Sequence, residues 1–483
     1  MENKITKFNI ISSLFWKLTE RGVYQGIQFI VQIVLARLIL PQDFGTVALV
    51  TVFISLAQVF VQSGLNTALI QKKDVDSEDF SSVLYLSLLI ATCLYVLVYF
   101  SSPYIASFYE EPVLIPVLRV LSITLFFGAL NSIQNAFIAR NMMFKQLFYS
   151  SLGATTISGI GGIISAYAGL GIWALVIQQL LNQISIVCIM WFTVRWKPML
   201  TFSFKKVKGL FSFGWKLLVS SLLNTLYMDL RTLIIGRIYS SSMLGYYNRG
   251  ELFPKVIVSN VDNSIQSVML PTLSVYQDDR KRVKEMMRRS VITSTFFIFP
   301  MMIGMSVIAE PLVKVILTDK WLKAVPFLQI FCFSYALMPI HTSNLQAINA
   351  MGRSDIFLKL ESIKKVIGLI ILGVSLPFGV YGIALGEVVS GIISTFVNAY
   401  PNKQLLGYSY KEQLLDIMPS FIIAIVMGSV VYTLKFLDLT VWKLLILQIV
   451  VGGAIYIGLA KLFKIECLNY LITVLKEFKE KNK

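Results

Sequence analysis

The stretch "FWKLTERGVYQGIQFIVQIVLARLILPQDFG", residues 15–45, decides the fold. It holds enough Ile, Val, Leu and Phe to cross a bilayer, for which a helix needs about 20 mainly apolar residues. Polar side chains nevertheless interrupt the run at Lys17, Glu20, Arg21, Gln25, Gln28 and Gln32. At about 100° per residue, all of these except Glu20 fall within an arc of roughly 80°. The stretch therefore predicts a membrane helix with one polar face.

The rest of the chain repeats this apolar character. Of its 483 residues, 56% are hydrophobic and only 14% are charged, and the mean hydropathy is +0.72; soluble proteins carry about 25% charged residues. The N-terminus lacks the short apolar core and cleavage site of a secretion signal, so we expect the first apolar segment to be retained. An all-α, multi-pass membrane protein with about 14 spans is predicted, at residues 12–36, 46–65, 82–101, 117–138, 150–168, 171–194, 210–236, 250–273, 291–309, 325–350, 366–378, 380–400, 416–434 and 441–460.

The distribution of basic residues predicts the orientation. With a cytoplasmic N-terminus, the inside segments hold 29 of the 43 Lys and Arg residues and the outside loops hold 7. An excess of basic residues in cytoplasmic loops is the usual pattern of membrane proteins. Both termini are therefore predicted to be cytoplasmic, and the net charge of +17 needs no nucleic acid to explain it.

Signals for covalent or metal chemistry are missing from the sequence. The four cysteines are scattered, His341 is the only histidine, and neither a phosphate-binding GxxxxGK[ST] loop nor a GxSxG or HExxH motif occurs. We therefore predict a transporter rather than an enzyme, with no cofactor and no metal. We expect His341 to be a hydrogen-bonded residue between helices rather than a switch.

The two halves of the chain resemble each other. "FWKL" (15–18) recurs as "GWKL" (214–217), "ARLILPQDFG" (36–45) as "GRIYSSSMLG" (236–245), and "GLGIWAL" (169–175) as "GVYGIAL" (379–385). Six spans in each half predict a parallel repeat about an axis along the membrane normal. The predicted organisation is an N-lobe (1–195), a basic cytoplasmic linker (196–209), a C-lobe (210–402), and two further helices with an amphipathic tail (403–483).

The polar stripe is duplicated as well. Lys216, Asn224, Tyr227 and Arg231 repeat the spacing of the first helix. A Lys or Arg at a membrane helix centre costs about 2.5–3.5 kcal/mol, so the stripes are expected to face water in a central cavity between the lobes. The alternative is that the amides join helices by hydrogen bonds worth about 0.6 kcal/mol each.

The predicted cavity is cationic and rich in amides. Arg binds phosphate oxygens in a bidentate manner, Lys acts as a point charge, and Gln and Asn can both donate to and accept from sugar hydroxyls. A lipid-linked sugar phosphate is the substrate that these side chains favour. The predicted substrate-binding residues are Lys17, Arg21, Gln25, Gln28, Gln32, Arg119, Lys216, Asn224, Tyr227 and Arg231.

Four runs carry a family resemblance: "ARLILPQDFG" (36–45), "IIGRIYSSSMLGYYNRGELFPK" (234–255), "LPTLSVYQDD" (270–279) and "TDKWLKAVPFLQI" (318–330). They resemble the polysaccharide flippases of the multidrug/oligosaccharidyl-lipid/polysaccharide exporter superfamily, over nearly the whole chain. The resemblance implies two six-helix lobes plus two C-terminal helices. It further implies a bacterial cytoplasmic-membrane flippase that moves undecaprenyl-pyrophosphate-linked oligosaccharides by alternating access.

Coupling to a proton or sodium gradient is implied by the same resemblance, and Glu20, Asp229 and Glu387 are the acids that could serve it. Membrane lipids and glycan polymerase or assembly proteins are the expected partners. Three alternatives stay open: an organic-cation antiporter of the same superfamily, a flippase for the peptidoglycan lipid precursor, and a non-transporting scaffold. We also expect Trp321 to lie in an interfacial aromatic belt and residues 468–483 to form an interfacial helix.

Overall fold

A computed structural model describes residues 7–62, 64–194, 196–468 and 473. Every regular element in this part of the chain is a helix, as the apolar runs predict. The chain divides into two compact units, Met1–Gly245 and Tyr246–Lys483. The predicted amphipathic tail falls mainly outside the described residues.

The first unit contains nine helices among its described residues and the first turn of a tenth. They are α1 (Lys7–Leu38), α2 (Pro41–Gln62), α3 (Leu65–Gln71), α4 (Ser77–Tyr109), α5 (Leu114–Leu121), α6 (Thr124–Arg140), α7 (Phe144–Tyr167), α8 (Ile172–Thr193), α9 (Phe204–Ile238) and the start of α10 (Ser241–Val275). The helix α9, which the duplication assigned to the second lobe, packs in this unit against α2, α3 and α4. The predicted lobe boundaries stay a prediction.

The second unit holds the remainder of α10 and eight further helices in its described part. They are α11 (Arg280–Val307), α12 (Ala309–Ile316), α13 (Val325–Ala336), α14 (Met338–Ala350), α15 (Ser354–Ser375), α16 (Gly379–Leu406), α17 (Tyr410–Thr433) and α18 (Val441–Leu462). Short 3-10 helices lie at Asp319–Ala324, Leu376–Phe378 and Leu434–Phe436. The last two long helices pack here: α17 lies against α11, and the Tyr456 hydroxyl of α18 donates to the Phe296 carbonyl at 2.7 Å.

Each predicted span falls on a helix or on a pair of consecutive helices. Eleven helical stretches of the described chain are long and apolar enough to cross a membrane. The helices α1 and α10 are not among them, because polar side chains interrupt their apolar runs, and the stretch Ser354–Leu406 contains both α15 and α16. The all-α membrane class is confirmed, whereas the count of fourteen spans stays a prediction.

Aromatic rings pack against one another in the core of the first unit. Phe80 of α4 lies 5.6 Å from Phe137 of α6 and 6.0 Å from Trp196, measured between ring centroids. Leu65 and Leu69 of α3 are fully buried in the same cluster. The Met199 amide donates to Ser81 Oγ at 2.9 Å and the Ser203 amide to Ser82 Oγ at 3.0 Å. These contacts hold the segment between α8 and α9 against the first turns of α4.

An ion pair reinforces this connection. Lys206 Nζ lies 2.5 Å from an Asp76 carboxylate oxygen, and its hydrogen bond lowers the pKa of Asp76 to about 2. Because the folded-state pKa is below the ordinary value of 3.8, the contribution to stability is present above that value and is lost as the pH falls toward 2. We therefore expect this connection to be unaffected by pH between 5 and 8.

Arg140 caps the end of α3. Its guanidinium donates to the carbonyls of Leu69, Ile70, Lys72 and Lys73 at 3.1, 3.3, 2.6 and 2.7 Å. The last carbonyls of a helix have no partner within the helix, and a charged donor satisfies them well.

The substitution Arg140→Ala should destabilise the protein by about 2–3 kcal/mol, because it leaves the half-buried carbonyls of Leu69 and Lys72 without a charged donor. The measurement is the thermal unfolding midpoint of the purified protein, which should fall. Arg353→Ala is the control, since Arg353 pairs with nearby Asp355 in an exposed contact at 2.8 Å and exposed pairs contribute little. Equal midpoints for both variants would show that Arg140 is not a structural cap.

The second unit corrects one expectation from the sequence. Trp321 is fully buried, with its ring 5.7 Å from the Arg249 guanidinium and 6.0 Å from the Tyr246 ring. The prediction that it lies in an interfacial aromatic belt is wrong, because the 3-10 helix Asp319–Ala324 turns the indole into the protein. His341, in contrast, is buried and hydrogen-bonded as predicted, with its Nδ1 3.1 Å from Asn398 Nδ2.

Candidate functional site

A polar cavity of about 410 Å³ lies within the first unit, between α1, α2, α6 and α8. Primary amides dominate its wall, and hydroxyl groups supplied by Tyr24, Thr51, Ser55, Thr124 and Ser132 complete it. Among the described residues, no acid or base lines it. The amides are Gln28, Gln32, Gln58, Gln62, Asn131, Asn135, Gln178, Gln179, Asn182 and Gln183.

Helix periodicity brings these amides together. Asn131 and Asn135 lie one turn apart on α6, and Asn135 Nδ2 donates to Asn131 Oδ1 at 3.1 Å. On α8, Gln178 and Asn182 likewise lie one turn apart and share a face. Gln178 Nε2 reaches Gln28 Oε1 of α1 at 3.5 Å, and Asn182 Nδ2 donates to Ser158 Oγ at 3.2 Å. Neighbouring helices thus fix part of the wall by direct side-chain contacts.

Two glycines make room for the lining amides. A Cβ atom on Gly128 of α6 would lie 2.0 Å from Gln58 Nε2, and one on Gly162 of α7 would lie 2.7 Å from Gln178 Cβ. Side-chain atoms at these positions would displace both glutamines. The glycines at these two positions therefore leave space for the amide side chains of α2 and α8.

The predicted stripe of α1 divides into two parts. Gln28 and Gln32 line this cavity within the first unit, and the buried Oε1 of Gln25 has no hydrogen-bond partner among the described residues. Lys17 and Arg21 are not part of the cavity wall and have exposed side chains. The Lys17 ammonium lies 5.4 Å from the Phe144 ring centroid.

The residues predicted on the second stripe do not line this cavity. Lys216 and Asn224 of α9 are exposed, whereas Tyr227 and Arg231 are half-buried. Their predicted substrate contacts stay a prediction.

Arg119 also lies away from the cavity wall. Its Nε donates to Ser102 Oγ at 3.0 Å, and its guanidinium lies 4.1 Å from the Tyr99 ring centroid. Both partners belong to α4. A break in the helix after Leu121 separates α5, which carries Arg119, from α6, which lines the cavity.

Two of the three predicted coupling acids contact hydroxyl groups. Asp229 of α9 accepts a hydrogen bond at 3.0 Å from Ser55, which itself lines the cavity. Glu387 of α16 accepts one at 3.1 Å from the Tyr247 hydroxyl. Glu20 is half-buried on α1. Sequence reasoning missed a third contact of this kind, Glu251, which accepts from the Tyr335 hydroxyl at 2.6 Å and pairs with Lys255 at 2.9 Å.

The two copies of the repeated motif contact each other. A Cβ atom on Gly45 would lie 1.7 Å from the Ser241 carbonyl oxygen, and one on Gly245 would lie 2.0 Å from the Pro41 carbonyl oxygen. Residues 41 and 45 are thus matched by residues 241 and 245, 200 positions later. The contact is reciprocal, and only glycine permits so close an approach of the two backbones.

Acidic residues at the end of α4 strengthen this junction. The Glu111 carboxylate accepts hydrogen bonds from Thr46 Oγ1, at 2.9 Å, and from Ser241 Oγ. Glu110 pairs with Arg237 at 3.0 Å. We call the contact between residues 41–46, 110–111 and 237–245 the motif junction. The sequence contained the repeated glycines, but nothing in it indicated that the two copies meet.

Metal chemistry finds no support in the described residues. No group of three or more His, Cys, Asp or Glu side chains in that part of the chain is arranged to hold a metal ion. The cavity offers hydrogen bonds, and its side chains are suited to binding polyhydroxylated molecules.

A multi-pass helical membrane protein with a polar cavity between its helices has the construction of a transporter. Residues 34–326, more than half of the chain, match the family described as "Polysaccharide biosynthesis protein", and the chain belongs to that family. The predicted family resemblance is therefore confirmed.

Named relatives cover most of the chain. It is 28% identical over 385 residues to the teichuronic acid biosynthesis protein TuaB of Bacillus subtilis, covering 78% of each chain. It is 24% identical over 437 residues to the lipopolysaccharide biosynthesis protein WzxC of Escherichia coli, covering 87% of this chain and 88% of WzxC.

Solved structures share the fold. An inward closed conformation of the lipid II flippase MurJ has a TM-score of 0.73 at 19% identity, covering 94% of this chain and 98% of MurJ. An inward-facing multidrug resistance transporter of the MATE family has a TM-score of 0.62 at 15% identity, covering 81% of this chain and 94% of that one.

Proposed function

We propose that the protein is a flippase that moves an undecaprenyl-pyrophosphate-linked oligosaccharide across the cytoplasmic membrane by alternating access. The observation that carries this proposal is the amide-lined cavity within the membrane helices of a polysaccharide biosynthesis family member. A lipid-facing helix would gain nothing from so many polar groups, whereas a glycan in transit needs partners for its hydroxyls. Membrane lipids surround the protein, both termini are cytoplasmic, and polymerase or assembly proteins receive the exported unit.

Reconstitution tests this function directly. The purified protein is placed in liposomes with an undecaprenyl-pyrophosphate-linked oligosaccharide that carries a fluorescent label, and an impermeant quencher reports which leaflet holds the label. We expect label to move between leaflets faster than in empty liposomes. Equal rates with and without protein, across several glycans, would overturn the proposal.

A second candidate function has structural support. The fold similarity to the lipid II flippase MurJ keeps the peptidoglycan lipid precursor as a competing substrate. Labelled lipid II in the same liposomes separates the two, since a dedicated polysaccharide flippase should move it more slowly than its own substrate. Transport of cationic dyes in place of both lipids would favour an organic-cation antiporter, and no transport at all would favour a scaffold.

We further propose that transport is coupled to a proton or sodium gradient through Glu20, Asp229 or Glu387. Asp229 is the strongest candidate of the three, because it accepts a hydrogen bond from Ser55, and Ser55 lines the cavity. Asp229→Asn should make transport insensitive to an imposed proton or sodium gradient, because the amide cannot change its charge. The control is Asp438→Asn, outside the predicted spans, which should keep the wild-type gradient response. An unchanged response in Asp229→Asn, Glu20→Gln and Glu387→Gln alike would contradict this coupling.

A further inference from the structure

We propose that the amide-lined cavity of the first unit binds an uncharged sugar of the transported glycan, and that the pyrophosphate binds elsewhere. This inference rests on the proposed function and specifies which part of the substrate the cavity takes. It differs from the expectation of a single chamber in which cations and amides contact the substrate together.

The side chains of the cavity wall suit the hydroxyl groups of a sugar. A primary amide offers two donor hydrogens and an acceptor oxygen, and a sugar hydroxyl both donates and accepts. Amides from four helices surround one space of about 410 Å³, within the range of about 300–1,000 Å³ typical of ligand pockets. Such a wall can satisfy several hydroxyls of one sugar at once. Its volume suits a short part of a glycan.

The charge of the cavity wall disfavours an anion. None of the described residues that line the cavity is a cation, so a carboxylate or phosphate entering it would lose its hydration without gaining an ion pair. The acid nearest to the wall in the hydrogen-bond network is Asp229, which contacts Ser55. When ionised, Asp229 would further disfavour an anion. A neutral sugar incurs neither cost.

The amides of the wall do not satisfy all of one another's hydrogen-bonding atoms. If the amides served only to join helices, their polar atoms would be used up by one another. The buried Oε1 of Gln183 instead has no hydrogen-bond partner in the part of the chain that the structure describes, and buried polar groups normally have one. Gly128 leaves space for the Gln58 amide at the wall. These groups are available to a ligand.

The binding test uses the full-length protein in nanodiscs and saturation-transfer-difference NMR. The probes are methyl β-galactoside and N-acetylglucosamine as neutral sugars, glucuronic acid as an anionic sugar, and inorganic pyrophosphate. Neutral sugars should give signals with the wild-type protein that weaken about tenfold in Gln58→Leu and in Asn182→Leu, because each variant leaves a bound hydroxyl unpaired. Gln71→Leu is the control, since Gln71 is exposed at the end of α3 in the same unit and does not line the cavity.

Gly128→Ala provides a variant that removes no polar group. It should weaken neutral-sugar binding by displacing Gln58, and it guards against loss of folding as the explanation. Glucuronic acid binding that falls together with that of the neutral sugars would overturn the assignment to uncharged sugars. Neutral-sugar signals that are absent, or unchanged in all three cavity variants, would overturn the site itself.

Transport in liposomes separates this inference from the proposed function. If the wild-type protein moves the lipid-linked glycan and the cavity variants move it equally well, only the sugar site is wrong. If the wild-type protein moves none of the lipid-linked glycans, the flippase assignment fails whatever the sugar binding shows.

Discussion

Gly45→Ala should reduce glycan transport at least tenfold while the protein still reaches the membrane. The added Cβ would lie 1.7 Å from the Ser241 carbonyl oxygen, a backbone atom that cannot move alone. The start of α10 would have to withdraw from the start of α2 as a whole. That movement would weaken the hydrogen bonds that Glu111 accepts from Thr46 and Ser241.

Helix propensity works in the opposite direction. Replacing glycine by alanine within a helix stabilises that helix by about 1 kcal/mol, so a loss of transport in Gly45→Ala must come from the contact. Gly453→Ala in α18 is the matched control, because its Cβ would lie within 4 Å of no atom of the described residues. Gly245→Ala should reproduce the defect, since its Cβ would lie 2.0 Å from the Pro41 carbonyl oxygen. Normal transport in both junction variants would show that the reciprocal contact is dispensable.

The reciprocal geometry suggests why this contact matters for transport. The two segments repeat at a spacing of 200 residues in the sequence, and a glycine of each one contacts the backbone of the other. In alternating access, contacts of this type hold one state and release in the other. We expect the motif junction to be such a contact.

The sequence predicted the helices well because membrane spans need long apolar runs. Helical periodicity also placed Gln28 and Gln32 on one polar face, and both line the cavity. Periodicity describes one helix at a time, so it could not show which other helices complete the wall. A signal was available in "QQLLNQ", residues 178–183, where amides interrupt the apolar run of α8 at a spacing of one turn.

For other residues, the packing between helices determines the surroundings, and the periodicity of a single helix could not predict them. Arg119 was predicted to bind substrate in the cavity and lies within the predicted span 117–138, but the break between α5 and α6 separates it from the helix that lines the cavity. Asp229 lies off the stripe of α9 by angle, yet packing of α9 against α2 brings it to Ser55. Contacts between helices distant in sequence cannot be read from the spacing within either one.

The two cations of α1, Lys17 and Arg21, are exposed and do not line the cavity. An exposed Lys or Arg within a membrane span must reach water, the lipid headgroups or a bound anion, since hydrocarbon would cost about 2.5–3.5 kcal/mol for each. Lys17 and Arg21 lie one turn apart on α1, so both positive charges can contact the same anion. We propose that they bind the pyrophosphate whose sugar the amide cavity holds.

The double variant Lys17→Ala/Arg21→Ala should therefore lower transport of the lipid-linked glycan at least tenfold. It should leave binding of neutral sugars to the nanodisc-embedded protein unchanged, because neither side chain lines the cavity. Arg21→Lys should keep part of the activity, since an ammonium retains the charge but not the bidentate geometry. Lys461→Ala, at the exposed end of α18, is the control for removing a basic residue. Wild-type transport in the double variant at normal protein levels would show that the pyrophosphate is bound by other residues, with Lys216 and Arg231 of α9 the next to replace.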